Sequence, residues 1–320
     1  MQWTEKYRPR TMEEVSSQES VVETIKSFME KGQLPHLLFY GPPGTGKTSL
    51  ALATVRAFYG TEHCRQNVLE LNASDARGID TVRNEVKTFV SARSFSDKGP
   101  RLKIVILDEA DQMTSAAQNA LRRIVEGNVK HARFFILCNY VTKIIPALQS
   151  RCTKFRFRPL ERERVEGHLR GILQKESVEA GEDAIDELLA VGGGDMRNIL
   201  NVAQSVSAGS GVLTVSGICA MSGRPTPSQT GHMMELLLGK STMLCYDYME
   251  NIRRSGNISV REILFSVVKR IRDSVALDSE VKRVLFVELA EIENSVSKGC
   301  SEQVMLCGVI GCFQRGRLRG

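Results

Sequence analysis

Eight residues constrain this chain more than any other feature. Gly41-Pro-Pro-Gly-Thr-Gly-Lys-Thr48 matches G-x-x-x-x-G-K-T, placed directly after the apolar run His36-Leu-Leu-Phe-Tyr40 and before a helical pattern over 48–59. A phosphate chain is cradled by backbone N–H groups turned inward, and Gly41, Gly44 and Gly46 allow the close approach because no Cβ stands in the way. Pro42, Pro43, Thr45 and Ser49 complete the loop. Lys47 brings a positive charge to the β and γ phosphates, and the Thr48 hydroxyl sits at the helix N-terminus as a ligand for Mg2+. A glycine-rich turn that binds nothing is the rival reading, and the strand-loop-helix context argues against it.

The rest of the first half repeats the strand-then-helix rhythm. Apolar runs at 68–71, 102–107 and 134–138 alternate with helical patterns over 80–92 and 115–126, and Lys154-Phe-Arg-Phe157 is the last strand. This predicts an α/β fold built on a buried parallel sheet. Past Pro159 the strand signal stops. Residues 160–222 read as a small helical domain, punctuated by glycines at 192–194 and a loop at 208–211, and Gly223, Pro225 and Pro227 mark the next break. Amphipathic stretches around 233–238, 260–271, 281–292 and 303–313 predict a third, all-helical domain. The expected division is therefore 1–159, 160–222 and 223–320, which suits a chain of 320 residues.

Composition narrows the class. With 42% hydrophobic and 25% charged residues the chain is globular, not disordered. No apolar run approaches the roughly eighteen residues that span a bilayer, and the start lacks a signal-peptide core, so neither a membrane nor a secreted protein is expected. The eight cysteines show no C-x-x-C pair and read as reduced thiols of an intracellular chain. Cys307 and Cys312, lacking a second pair, are a poor metal pattern. Through Pro159 there are 24 basic and 16 acidic residues, against 19 and 21 beyond it. Such asymmetry suits an N-terminal half facing a polyanion, or simply a soluble surface.

Carboxylates complete the chemistry of the loop. The third apolar run leads straight into Asp108-Glu109-Ala110-Asp111, at the strand edge where open α/β sheets bind ligands. Asp108 there can hold the metal through water, and Glu109 can polarise a water for attack on a γ-phosphate. Asn139 ends the next run, where its amide can both accept from and donate to that water, although asparagine at a strand end is also a common turn residue. Ser150-Arg151-Cys152 and Gly194-Asp195-Met196-Arg197 each hold an arginine that, taken alone, reads as readily as a solvated surface residue.

Taken together, several segments resemble one family. Trp3-Thr-Glu-Lys-Tyr-Arg-Pro9, Leu69-Glu-Leu-Asn-Ala-Ser-Asp75, Arg77-Gly-Ile-Asp80, Gln118-Asn-Ala-Leu-Arg-Arg123, Cys138-Asn-Tyr140 and Lys143-Ile-Ile-Pro-Ala-Leu-Gln-Ser-Arg-Cys-Thr-Lys-Phe-Arg-Phe157 are similar to the small subunits of replication factor C, AAA+ ATPases of the clamp-loader group. The resemblance covers nearly the whole chain. It implies an AAA+ ATPase domain with a parallel sheet, a helical lid and an all-helical collar for oligomerisation. Asn139 looks like sensor 1, Arg197 like sensor 2, and Arg151 like an arginine finger reaching a neighbour's ATP. Thr4, Arg8 and Ser16 fall where the family lines its adenine pocket, Ser16 standing where an apolar residue is commoner. Arg77, Arg83, Lys87 and Lys143 fall on the DNA side, with Arg83 and Lys87 four apart on one helical face. Such contacts would track phosphates without reading bases, and a solvated basic face is the alternative.

The resemblance implies a nuclear, ATP-hydrolysing, Mg2+-dependent subunit of a heteropentamer. Its partners would be one large and other small subunits, a sliding clamp and primer-template DNA, with no membrane involved. A non-catalytic ATP-binding scaffold subunit is the alternative, and the intact set Lys47, Thr48, Asp108, Glu109, Asn139 and Arg197 argues for catalysis. A DNA-translocating helicase is a further rival, opposed by Ser150-Arg-Cys152 and the short helical C-terminus.

Overall fold

Five apolar runs form five parallel strands: β1 Leu37–Tyr40, β2 Val68–Asn72, β3 Lys103–Asp108, β4 Ala132–Cys138 and β5 Thr153–Arg156. The structure is a computed structural model. It describes residues 1–15, 18–73, 79–92, 102–128, 131–239, 241–275 and 277–317, and the side chains at 61–65, 79–83, 210 and 316–317 lie outside the description. The strands lie in the order β2-β3-β4-β1-β5, with Leu38 opposite Ile136 and Val105 opposite Phe134. Both faces are covered. Ile104, Ile106, Phe135 and Leu137 pack on Ile25 and Leu50, while their neighbours Val105, Leu107, Phe134 and Ile136 pack on Val86 and Leu121. This double burial is why the runs of the three central strands read as nearly continuously apolar, whereas the edge strands β2 and β5 alternate, with Glu70, Lys154 and Arg156 exposed.

The helices follow the strands. Lys47–Asn67 is broken at Gly60 (φ 72°, ψ 170°); Ile79–Ser91 follows β2, and Ser115–Gly127 follows β3. Thr114 caps the last of these by accepting from Ala117 N at 3.3 Å. Because β4 lies between β3 and β1, the C-terminal ends of these three strands stand side by side. Asp108, Asn139 and the loop that starts at Gly41 therefore share one edge of the sheet.

His36, just before β1, gives the sheet a pH dependence. It is buried, its Nδ1 accepts from Phe134 N at 3.1 Å, and its Nε2 has no partner among the described residues. Burial, with Arg133 nearby, pushes its pKa down to about 4. The unfolded chain takes up this proton near the ordinary value of 6.5. The stability tied to the neutral ring is thus complete above about pH 6.5 and is lost as pH falls toward 4. The loss is expected to be roughly 3 kcal/mol. Denaturant unfolding at neutral and mildly acidic pH measures it, and His36→Leu should shrink the difference; an unchanged pH dependence would show that other groups carry it.

The chain divides into two compact units, Met1–Glu176 with Leu189–Asn201, and Ser177–Leu188 with Val202–Gly320. The expected segment 160–222 is thus shared between them. Two points of the sequence reading need correction. Glu179–Ala180 and Val212–Leu213 pair as short parallel strands where none was expected past Pro159, because two residues are too few to give a periodic signal. Helix Met196–Ser210 also runs through most of the expected 208–211 loop, tolerating Gly209 and stopping at Gly211, whose φ is 70°.

In the second unit, Pro227–Leu238, Thr242–Ser255, Val260–Asp273, Ser279–Ser297 and Glu302–Arg317 pack around Met233, Met249, Ile263, Leu289 and Val309. Helix starts are marked in the sequence by Thr226, Ser241, Ser259 and Asp278, each accepting from a backbone N–H of the first turn. Thr226 and Gln229 form a complete capping box. Among the described residues no helix is long and apolar enough to cross a membrane. The described cysteines are free thiols, and burial pushes Cys138 up to about 12 and Cys152 up to about 11. Cys307 is exposed whereas Cys312 is buried.

Candidate active site

The glycines of the loop are needed for different reasons. A Cβ on Gly41 (φ 151°) would lie 2.3 Å from the Phe157 carbonyl oxygen, and one on Gly44 (φ 69°) would lie 1.9 Å from Asp195 Oδ1 and 2.8 Å from Asp195 Cα. Gly46 (φ 91°) starts the following helix from a left-handed conformation. The loop therefore turns back on itself and brings Lys47 inward. Lys47 is buried, and its Nζ donates to the carbonyls of Gly41 at 2.8 Å and Pro42 at 2.7 Å and to Asn139 Oδ1 at 2.9 Å. Every one of these acceptors is neutral. Burial lowers its pKa, opposed chiefly by Asp108, and among the described residues the ammonium has no directly bonded counter-ion. A buried cation held by carbonyls at the mouth of a glycine loop fits an anionic phosphate.

Beside it, Thr48 Oγ1 donates to Asp108 Oδ2 at 2.7 Å, and Glu109 N donates to Asp108 Oδ1 at 2.8 Å. Thr48 and Asp108 are a hydroxyl and a carboxylate, a donor set that fits Mg2+, which keeps waters and shares a site with phosphate oxygens rather than filling an all-protein cage. Glu109 adopts φ 53°, ψ 36°, a left-handed conformation uncommon outside glycine. Its carboxylate has no hydrogen-bond partner among the described residues. That strain sits at the end of β3, next to the loop.

Two polar residues fix the neighbouring segment. Asp111 is buried, and its Oδ2 accepts from Asn139 N at 3.3 Å and Tyr140 N at 3.2 Å. Gln118, also buried, donates to Lys143 O at 2.9 Å and Met113 O at 3.2 Å and accepts from Ile145 N at 2.8 Å. The turns after β3 and β4 are thereby stitched together, which holds the Asn139 amide on Lys47. Sequence reading gave neither residue a role, although Asp111 belongs to the acidic run already noted and Gln118 opens one of the segments that carry the resemblance.

A cleft of about 280 Å³ collects these groups. Lys47, Thr48, Asp108, Glu109, Asn139 and Arg197 line it together with Thr4, Arg8, Pro43, Gly44, Thr45, Gly46 and Ser49. Gly41 and Pro42 lie beneath, holding Lys47 through their carbonyls. Val15, Arg164, Val165, His168 and Leu200 close the walls, and burial lowers the pKa of His168. Asp195 Oδ1 accepts from the N–H groups of Arg197 at 2.9 Å and Asn198 at 3.3 Å. This caps the helix that carries Arg197 while the same side chain rests against Gly44. On the opposite wall, Glu176 Oε1 accepts from Lys6 Nζ and Tyr7 OH, both at 2.6 Å, tying the segment that holds Thr4 and Arg8 to the end of helix Arg162–Lys175.

The other expected residues fall elsewhere. Ser16 and Arg77 lie outside the described residues, as does the side chain of Arg83. Lys87 is exposed on helix Ile79–Ser91. Lys143 is exposed too, its ammonium 5.2 Å from the Tyr140 ring centroid. Arg151 is exposed and does not line the cleft of its own chain.

Comparison with known proteins agrees with this geometry. Residues 37–160 match the family described as "ATPase family associated with various cellular activities (AAA)", and residues 225–312 match "Replication factor C C-terminal domain". The chain is 43% identical over 317 residues to the probable replication factor C subunit 5 of Dictyostelium discoideum, covering 98% of this chain and 91% of that protein. It is 42% identical to replication factor C subunit 3 of Saccharomyces cerevisiae, covering 98% and 92%, and 40% identical to subunit 5 of Homo sapiens, covering 98% and 91%. Among solved structures, the RuvB Holliday junction branch migration motor of Thermotoga maritima aligns with a TM-score of 0.55 at 16% identity, over 97% of this chain and 91% of that one. That likeness speaks for the fold alone. With an AAA sheet at one end, a replication factor C domain at the other and full-length relatives in between, the chain belongs to the replication factor C small subunits, clamp-loader AAA+ proteins, in the group named subunit 5 in animals and subunit 3 in fungi.

Proposed function

We propose that this chain is a catalytically active ATPase subunit of a heteropentameric nuclear clamp loader, which opens a sliding clamp and places it on primer-template DNA during replication and repair. The observation that carries the reading is Lys47, a buried cation whose partners are all neutral, set in the same cleft as Thr48, Asp108, Glu109 and Asn139. ATP lies with its phosphates along residues 41–48 and its base toward Thr4 and Arg8. Thr48 and Asp108 would hold Mg2+, which would supply charge neutralisation at the phosphate oxygens.

The remaining work falls to the chain's own side chains. Lys47 and Arg197 bind the terminal phosphates from two sides, Asn139 orients a water, and Glu109 accepts its proton. Asp108 keeps Thr48 aligned. Arg151, remote from this cleft, serves the pocket of a neighbouring subunit. Residues 1–159 act as the ATPase domain, 160–222 as the lid that brings Arg197, and 223–320 as the collar that joins other subunits. Arg77, Arg83, Lys87 and Lys143 meet the DNA backbone; the exposure of Lys87 and Lys143 supports that role.

Lys47→Met tests the phosphate site while keeping the buried stem. Removing a charge-assisted contact of roughly 3 kcal/mol lowers ATP affinity about a hundredfold. Equilibrium titration of a fluorescent ATP analogue with Mg2+ measures it. Undiminished affinity in a folded variant would mean that Lys47 does not hold the phosphates.

A further inference from the structure

Arg151 has a fixed environment even in the single chain. Its Nη1 donates to Ala147 O at 2.6 Å and approaches Ser150 Oγ at 3.4 Å, and its Nη2 lies 2.6 Å from Glu126 Oε1. The Nε–H has no partner among the described residues. The same Glu126 oxygen lies 3.5 Å from Arg122 Nε, one turn earlier on the helix. One carboxylate is therefore shared by two guanidinium groups, one on its own helix and one on the segment that follows Pro146–Gln149.

Neither helix physics nor stability explains that carboxylate. Glu126 sits in the last turn of Ser115–Gly127, which has no basic residue, and a helix C-terminus favours cations over anions. The side chains of Glu126 and Arg151 are 39% and 40% exposed, and ion pairs so open to solvent add little to stability. What the pair does provide is direction. A free arginine side chain gives up rotamer entropy when it is fixed, and donors aligned beforehand avoid part of that cost on meeting an anion.

We propose that Glu126 is the positioning residue of Arg151. It holds Nη2 while Ala147 O holds Nη1, so that the Nε–H edge of the guanidinium faces a phosphate bound by the neighbouring subunit. This rests on reading Arg151 as an arginine finger. Glu126 itself touches no nucleotide and acts only through the orientation of Arg151.

The test uses the reconstituted assembly with this chain carrying Glu109→Gln, so that it contributes to hydrolysis only through Arg151. The rate that disappears on adding Arg151→Ala is the Arg151-dependent rate. Glu126→Ala is expected to lower that rate about tenfold at saturating ATP with little change in KM. Glu126→Gln, which retains an acceptor oxygen, should fall in between. Once Arg151→Ala is present, Glu126→Ala should add nothing, and the unfolding midpoint should move little. An Arg151-dependent rate that is unchanged or faster without Glu126 overturns the proposal, and so does an equal loss in the Arg151→Ala background, which would mark a purely structural role. If Arg151→Ala removes no rate at all, the finger reading itself fails, and that outcome is distinct from the failure of Glu126 alone.

Discussion

Arg151→Ala is expected to slow ATP hydrolysis in the neighbouring subunit's pocket by on the order of 10³ to 10⁵, the range by which such arginines accelerate phosphoryl transfer. The pocket of this chain itself should be unaffected, because Arg151 does not line it. With Arg151 as the finger, the charge that develops on the transferring phosphoryl group would be met there by a guanidinium that needs little reorganisation, since Ala147 O and Glu126 already hold it. Folding is not the cause of the loss: the contacts given up are exposed, and their removal should cost less than about 1 kcal/mol. Pre-steady-state hydrolysis in assemblies where only the neighbour's pocket remains competent measures the effect. An unchanged rate there, with the loss appearing instead in assemblies where only the pocket of this chain is competent, would reverse the assignment.

Glu109→Gln should abolish turnover in the pocket of this chain while leaving ATP bound. The isosteric amide keeps the left-handed turn at φ 53° and the backbone N–H that donates to Asp108, so the metal side of the site is preserved. It loses the ability to accept a proton from water. General-base contributions of this kind are worth on the order of 10² to 10⁴ in rate. Nucleotide affinity should stay within about threefold, since the hydrogen bonds of Lys47 and Thr48 go to residues other than Glu109 and binding rests on those groups. Single-turnover hydrolysis and equilibrium binding on the same preparation separate the two effects. Affinity falling in step with rate would mean that Glu109 holds the nucleotide instead of activating water.

Much of this arrangement is legible in the residues, and the illegible parts have physical reasons. The strands of the sheet begin and end within a residue or two of the apolar runs; for the central strands this is because a parallel strand covered on both faces leaves a continuous hydrophobic stretch. Phosphate-loop glycines are equally legible, since their backbone angles admit little else. Helices Glu19–Glu30 and Thr242–Ser255 were not among those expected, although the first presents a buried stripe of Val21, Val22 and Ile25. The cleft walls are a different case. Arg164, His168 and Leu200 come from two helices well separated along the chain from the loop, and nothing local in their sequence marks them. Asp195 stands between the two cases: its motif is visible, but its double task of capping the Arg197 helix and pressing on Gly44 emerges only in three dimensions.

Hydrolysis by an assembly whose other phosphate-loop lysines are all replaced, leaving the Lys47 pocket as the single competent site, bears most directly on whether this chain is a working ATPase. With sliding clamp and primed DNA present, the Lys47 pocket should turn over ATP at a rate that Glu109→Gln removes. Bound ATP that persists unhydrolysed in that pocket, with the neighbour's finger in place, would contradict catalysis and leave the chain a nucleotide-bound scaffold.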